Sequence, residues 1–176
     1  MTETSGRKKL PPLFIIKATI GFRDFLKRIT RSMLPASYIM LEEISGIWKV
    51  KALNVAACLG IAEILKNGPQ KIENLAEITS SDSQSLYRVL RALAGEGIFK
   101  ELPGKVFENT RLSEALCSPK ESVKYFAMHH LGSTNWELAG DMLYCVKTGK
   151  NAFEHKFNTK PFGYLESHPE ENDIFN

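Results

Sequence analysis

The stretch from residue 68 to residue 109 constrains the fold more than any other part of the chain. Gly68-Pro69 breaks the preceding segment. One helix then follows, and its apolar face consists of Ile72, Leu75, Ala76 and Ile78. The turn TSSDSQ separates it from a second helix, which we expect to start near Ser81 or Asp82, because Ser81 and Gln84 have capping-box spacing.

The second helix carries a core-facing stripe at positions i, i+3, i+4 and i+7, formed by Leu86, Val89, Leu90 and Leu93. We expect it to end at Gly95 or Gly97, and two short strands with a turn at Pro103-Gly104 to follow over residues 98–109. A nucleotide-binding glycine loop follows a strand and opens a helix, whereas Gly95-Glu96-Gly97 does the reverse, so it is a helix stop. A helix, a turn, a helix and a two-stranded wing form a winged helix.

A winged helix is compatible with a DNA-binding regulator. The outward positions of the second helix are Ser83, Gln84, Ser85, Tyr87, Arg88 and Arg91, preceded by Asp82. The wing adds Lys100 and Lys105, but also Glu101 and Glu108. This surface is close to neutral, whereas DNA-binding surfaces are strongly positive. We therefore predict no specific nucleic-acid partner. A DNA-binding regulator ranks third, after the two interpretations that follow from the family resemblance below.

The segment before the winged helix, residues 37–65, is unusually apolar. Across Trp48–Leu59 apolar side chains occupy nearly every side of a helix, and the polar exceptions are Lys49, Lys51 and Asn54. A surface helix keeps one polar face, so this helix needs cover on nearly all sides. A subunit interface supplies such cover and predicts a homodimer, and the alternative is a long helix in the core of a monomer.

Residues 1–35 form a basic N-terminal arm on a mildly acidic body, residues 36–176. The arm carries a net charge of +6 and the rest −3, which together give the net charge of +3. Pro11-Pro12 suits the opening of an amphipathic helix that runs towards Leu34. Its predicted apolar side consists of Leu13, Ile16, Ile20, Phe22, Phe25, Leu26, Ile29 and Met33. The arm either packs on the body or on a second subunit, or makes weak contact with a membrane surface.

The cysteines and histidines predict no metal site. Cys58, Cys117 and Cys145 are odd in number and widely spaced, which excludes a disulfide framework and a CxxC site and fits the reducing cytoplasm. His129 and His130 are adjacent, so they point to different sides of a helix and cannot chelate one ion. No catalytic set of residues is recognisable, and no stretch reaches the ~18 apolar residues of a membrane span.

The last third of the chain is predicted to be helical and rich in aromatic residues. One helix is expected over Ser122–His130, with Val123, Phe126 and Ala127 inward. A second is expected over Asn135–Lys147, with an apolar side formed by Trp136, Leu138, Ala139, Leu143 and Val146. A further helix begins at Glu170–Asn176, and the chain stops there.

Several segments together resemble a known family. They are ALNVAACLGIAEIL, ENLAEITSSDSQSLYRVLRALAGEGIFKE, the region of Trp136, VKTGKNAFE and PFGYLESHPE. Over residues 36–176 the chain resembles the N-terminal half of class I S-adenosylmethionine-dependent small-molecule O-methyltransferases. The resemblance implies a mainly α fold: a winged helix-turn-helix with a short two-stranded wing, flanked by dimerisation helices that interlock with a second copy. It also implies that the chain ends in the linker to an absent Rossmann-like methyltransferase domain.

The same resemblance assigns substrate-pocket residues but no catalytic ones. The matching positions are Phe126, His130, Trp136, Phe162 and Phe175, which would line an apolar pocket for an aromatic or polyketide-like hydroxyl acceptor. The chain stops before the family's cofactor loop and base, so S-adenosylmethionine is implied only for the complete enzyme. The chain is then the dimerisation and substrate-lid part of that enzyme, or a stand-alone module that complements a separate catalytic chain.

Overall fold

The computed structural model describes residues 11–117 and 123–175, with only the backbone described at Phe175. The first residues of the basic arm, including Arg7, Lys8 and Lys9, lie outside the described residues, as does Asn176. The chain divides into two compact units, Met1–Gly46 and Ile47–Asn176. Each unit is described by itself below.

The first unit contains helix α1 (Leu13–Ser32) and the beginning of helix α2 (Ala36–Cys58). The predicted helix start after Pro11-Pro12 and its stop before Pro35 are both observed. None of the α1 residues is buried. At 3.6 residues per turn, Leu13, Ile16 and Ile20 lie with Lys27 and Arg31, not on the predicted apolar side.

The second unit contains the winged helix. The rest of α2 leads through Gly60, at a left-handed φ of +64°, into α3 (Ile61–Ile64) and a 3-10 turn at Leu65–Asn67. Helices α4 (Ile72–Ile78) and α5 (Ser83–Gly95) follow. Asp82 is the N-cap of α5, and its carboxylate accepts a 2.8 Å hydrogen bond from the Ser85 N–H. The predicted helix start and the glycine stop are therefore confirmed.

The predicted two-stranded wing is present, and a third short antiparallel strand joins it. Strands β2 (Phe99–Leu102) and β3 (Val106–Asn109) form the predicted hairpin. Strand β1 (Gln70–Lys71) pairs with the other edge of β3, with Gln70 opposite Phe107, so the order is β1-β3-β2. Phe99 and Phe107 are fully buried against the two helices, together with Ile61, Ile72, Leu75, Leu90 and Leu93. Ile78 was expected on this apolar face, but it is exposed.

The rest of the second unit consists of short helices. A 3-10 turn at Ser113–Leu116 precedes α6 (Val123–His130), α7 (Ser133–Gly140), α8 (Met142–Thr148), α9 (Ala152–Phe157), α10 (Pro161–Ser167) and α11 (Pro169–Phe175). The helix predicted over Asn135–Lys147 is broken at Asp141, whose carboxylate pairs with His155 at 2.9 Å. Five side chains from the predicted inward or apolar sides are exposed instead, namely Val123, Phe126, Ala139, Leu143 and Val146.

The three polar residues of the apolar segment in α2 all have partners within the second unit. Lys49 pairs with Glu96 at 3.1 Å. The Lys51 ammonium donates to the Leu131 carbonyl at 3.0 Å, and the Asn54 amide donates to the Ala127 carbonyl at 3.2 Å. Polar groups can lie in an apolar helix when their hydrogen bonds are satisfied in this way.

Candidate functional site

Two adjoining cavities lie in the second unit. The first lies between the end of α2 and helices α6, α7 and α11, and the second lies among helices α6, α7, α9, α10 and α11. The first, of about 380 Å³, is lined by polar and apolar residues, among them Lys51, Asn54, Cys58, Met128 and Ile174. The second, of about 290 Å³, is more apolar and is lined by Leu138, Phe153, Phe162, Tyr164 and Leu165, among others. His129, Thr134 and Glu171 line both, so the cavities share one polar wall.

The shared wall is a hydrogen-bonded cluster around Glu171. The Thr134 hydroxyl donates to Glu171 Oε1 at 2.5 Å, and the Tyr164 hydroxyl donates to the same oxygen at 3.3 Å. The two hydroxyl oxygens are 3.3 Å apart. Both hydroxyls thus converge on one carboxylate oxygen, which gives the apolar cavity one polar recognition point.

His129 completes the polar wall. Burial, followed by the charge of the neighbouring His130, lowers the pKa of His129 below its ordinary value of 6.5, and the Glu171 carboxylate opposes this effect. The imidazole is therefore neutral at pH 7 and can both donate and accept a hydrogen bond.

The backbone at the end of α6 is held in place by three side chains. Asn135 donates to the His129 carbonyl at 2.8 Å, while Asn54 and Lys51 reach the Ala127 and Leu131 carbonyls. The Ala127 and His129 carbonyls also accept from the Leu131 and Gly132 N–H groups, so the side chains are second donors that reinforce the C-terminal end of the helix. Gly132 follows, and a Cβ there would lie 2.7 Å from the Met128 carbonyl oxygen, so any other residue would displace this turn.

Aromatic rings support the wall of the second cavity. Tyr164 packs against Phe153, Phe157 and His168, with ring centroids 5.4, 4.7 and 3.8 Å away. Phe153 and Tyr164 therefore line the cavity on one side and contact their neighbours on the other. Rings packed in this way hold the cavity open with little rotamer freedom.

The residues that the resemblance assigned to a pocket are only partly brought together. Phe162 lines the second cavity and is 73% exposed. Phe126 is also exposed and stacks on His130 with the ring centroids 3.8 Å apart. Trp136 is half-buried beneath Lys51, whose Nζ is 4.4 Å from the ring centroid. Phe126, His130 and Trp136 line neither cavity, and the Phe175 side chain lies outside the described residues.

Sequence reasoning missed the polar wall. Thr134 and Glu171 are 37 positions apart, and no spacing pattern connects them. The sequence offers His129 only as a candidate metal ligand. Phe153 and Tyr164 stand in the aromatic-rich stretch, and that stretch is the one sequence signal that points to them.

The described residues do not fit a metal or S-adenosylmethionine. Within residues 11–117 and 123–175 no three His, Cys, Asp or Glu residues are grouped to hold a metal. The sheet described there is antiparallel, with strands of two to four residues, and lacks the parallel strand–glycine loop–helix unit that binds such cofactors. Over the same residues no single helix could span a membrane, and Ala36–Cys58 with Ile61–Asn67 meets that test only as a pair bent by 55°.

Comparison with known proteins connects this architecture to one family. Residues 41–119, which include most of α2 and the whole winged helix, match the family model of the O-methyltransferase dimerisation domain. This segment of the chain belongs to that family. The dimerisation-domain match therefore confirms the resemblance that the sequence motifs indicated.

Individual relatives extend the match beyond the dimerisation domain. The chain is 40% identical over 144 residues to the phenazine O-methyltransferase PhzM of Lysobacter antibioticus, covering 81% of this chain and 42% of the relative. It is 31% identical over 149 residues to the mitomycin biosynthesis 6-O-methyltransferase of Streptomyces lavendulae, covering 84% and 43%. The crystal structure of LaPhzM superposes with a TM-score of 0.77 at 40% identity over 81% of this chain and 43% of that one. The chain thus spans about two fifths of the length of these relatives.

Proposed function

We propose that this chain is the dimerisation and substrate-pocket part of an S-adenosylmethionine-dependent O-methyltransferase that acts on a small aromatic or polyketide-like hydroxyl acceptor. The observation that carries the proposal is the match of residues 41–119 to the O-methyltransferase dimerisation domain, within which α2 exposes an apolar surface. The names of the relatives, which include phenazine and mitomycin O-methyltransferases, support the acceptor class.

The exposed surface of α2 supports a homodimer. In the second unit Ile47, Trp48 and Val55 are 45%, 76% and 38% exposed, although Ala52, Ala56 and Ala57 of the same helix are buried. One side of the helix therefore packs in the monomer, and the other presents a tryptophan to solvent. Large apolar residues left exposed in a cluster mark interaction sites, and tryptophan is enriched among the residues that dominate binding.

The cavities support a role in holding the acceptor. Leu138, Phe153, Phe162 and Leu165 offer an apolar surface to a planar ring, and the Glu171 cluster offers one polar contact. In this proposal the chain orients the acceptor and excludes water from it, which contributes proximity to the reaction. S-adenosylmethionine would supply the methyl group in the complete enzyme, and we assign no residue of this chain to it.

Cytoplasmic localisation and the absence of a nucleic-acid partner also belong to the proposal. The three cysteines are free in the described structure, and burial raises the pKa of the Cys117 thiol, which keeps it protonated. On the winged helix, Lys100 pairs with Glu108 at 2.6 Å, and Lys105 lies 4.9 Å from the Tyr87 ring centroid. Lysines with partners in their own domain are less available to phosphates, which supports the prediction that DNA is not a specific partner.

The enzyme proposal is tested by methyl transfer. We expect the gene's reading frame to continue past residue 176 into a strand and a glycine-rich loop, and the complete product to methylate hydroxylated aromatic compounds. The 176-residue chain alone should bind no S-adenosylmethionine in calorimetric titration. Micromolar cofactor binding by this chain, or no transfer by the complete product, would contradict the proposal.

The stand-alone alternative gives a different result in the same experiment. In that case the reading frame ends at residue 176, and methyl transfer requires a separate catalytic chain that copurifies with this one. In either protein, Phe162→Ala should raise the KM for the acceptor and leave the KM for S-adenosylmethionine unchanged. Equal changes in the two KM values would contradict the assignment of Phe162 to the acceptor pocket.

A further inference from the structure

Helix α1 has no role in the function proposed above. The matched dimerisation domain begins at residue 41, whereas α1 ends at Ser32. One face of α1 carries large apolar side chains at helical spacing, namely Phe14, Phe22, Phe25 and Ile29, with Leu26 and Met33 beside them. All six are exposed, from 41% at Ile29 to 77% at Met33. Three phenylalanines on one solvent-exposed helix face need an apolar environment.

The opposite face of α1 is basic. It carries Lys17, Lys27, Arg28 and Arg31 around the single acidic residue of the helix, Asp24, with Leu13, Ile16 and Ile20 among them. Lys27, Arg28 and Arg31 line an open cleft of about 370 Å³ together with Asp24. Arg23 stands at the border of the two faces and pairs with Asp24 at 3.0 Å. The helix therefore has five basic residues against one acidic residue, and their charge is concentrated away from the phenylalanines.

We propose that α1 lies in the surface of an anionic lipid bilayer. Its phenylalanine face would enter the boundary between headgroups and acyl chains. Its basic residues other than Arg31, which pairs with Glu43, would contact the lipid phosphates. A strongly amphipathic helix with phenylalanine on one face and Lys and Arg on the other is typical of helices that lie in this interface. Lys17, Arg28 and Arg23 stand at the edges of the apolar face, from which long basic side chains reach the headgroup level.

Charge favours a bilayer over a second copy of the same helix. Two copies of α1 packed through their phenylalanine faces would bring together two helices that each carry an excess of four positive charges, with no net negative charge to offset the repulsion between them. An anionic bilayer instead has an apolar interior beneath a negatively charged surface. Each basic residue near that surface therefore strengthens membrane binding.

The proposal is tested by sedimentation of the 176-residue chain with lipid vesicles. The chain should sediment with vesicles of equal parts phosphatidylglycerol and phosphatidylcholine, and much less with phosphatidylcholine alone. Phe22→Gln with Phe25→Gln should weaken this binding at least about tenfold. Lys27→Gln with Arg28→Gln should weaken it about thirtyfold. All four residues are exposed, so these substitutions should leave the fold intact.

A matched control separates charge at α1 from charge in general. Lys147→Gln with Lys150→Gln removes the same charge from exposed positions of the second unit and should leave vesicle binding unchanged. No binding to anionic vesicles, or equal losses in the control and the α1 variants, would overturn the proposal. It would also fail if Phe22→Gln with Phe25→Gln halved the molar mass in solution, because a second copy would then cover the face. None of these results would affect the enzyme proposal, which depends on residues 41–176.

Discussion

His129 combines a backbone role and a side-chain role in one residue. Its carbonyl accepts a hydrogen bond from the Asn135 amide, and the residue lines both cavities beside Glu171. The packing of α6, α7 and α11 determines how deeply the ring lies, and the sequence alone does not contain that information. The sequence could therefore identify His129 as a candidate, but it could not assign the residue to the right chemistry.

The lowered pKa of His129 makes stability depend on pH. The pKa of His129 in the unfolded chain is about 6.5, and it is lower in the folded chain. When the pH falls below about 6.5, the unfolded chain therefore binds a proton at His129 more readily than the folded chain does, so the free energy of unfolding decreases. We expect the urea midpoint to drop between pH 7.5 and pH 5.5, and to drop less in His129→Gln. Equal drops in the two proteins, or an NMR titration midpoint of His129 above 6.5, would contradict this assignment.

At the scale of elements, the C-terminal cap of α6 connects two parts of the second unit. Lys51 and Asn54 come from α2, Asn135 comes from α7, and all three donate to carbonyls at or just after the end of α6. Lys51 also covers the Trp136 ring. The polar exceptions of the apolar helix thus fix the wall of the first cavity, so the helix proposed to form the dimer also positions the proposed substrate site.

Removing one cap donor should cost measurable stability. Asn54→Ala leaves carbonyls at the end of α6 without this donor, and we expect the free energy of unfolding to fall by about 1–2 kcal/mol. Asn74→Ala is the matched control, because Asn74 is exposed and its amide only reaches Gln70 at 3.5 Å. Chemical denaturation measures both. Equal losses in the two variants would show that Asn54 is not a structural cap.

The winged helix was predictable because local signals determine it. The Asp82 cap, the leucine stripe of α5, the left-handed Gly97 and the hairpin all follow from short-range patterns. Strand β1 was missed because two residues carry no strand pattern and form a strand only by pairing with β3. The break at Asp141 was missed for a similar reason, since its carboxylate pairs with a histidine 14 residues later.

At the scale of the whole molecule, the exposed apolar residues of α2 explain why this helix is apolar on nearly all sides. A helix that is apolar nearly all round was expected to be buried, yet Trp48 is among the most exposed large residues of the chain. The monomer buries the alanine side and leaves the tryptophan side for a partner. The sequence pattern predicted the need for cover, and the structure identifies the side of the helix that lacks it.

The two tryptophans of the chain provide a matched pair of substitutions. Trp48→Ala should leave monomer stability nearly unchanged and raise the dimer dissociation constant at least about thirtyfold, as expected for a dominant interface residue. Trp136 is half-buried beneath Lys51, so Trp136→Ala should instead lower the free energy of unfolding by about 2–3 kcal/mol and leave the dissociation constant unchanged. Denaturation and dilution series measured by light scattering separate the two effects. The reverse pattern would place the interface elsewhere.

The molar mass of the 176-residue chain in solution tests the central claim most directly. Sedimentation equilibrium over nanomolar to micromolar concentrations should give twice the chain mass of 19.8 kDa at the upper end. Dilution should then reduce it towards a single chain, and Trp48→Ala should shift that transition to higher concentration. A mass of one chain at every concentration, with Trp48 still exposed, would contradict the account of this chain as a dimerisation domain.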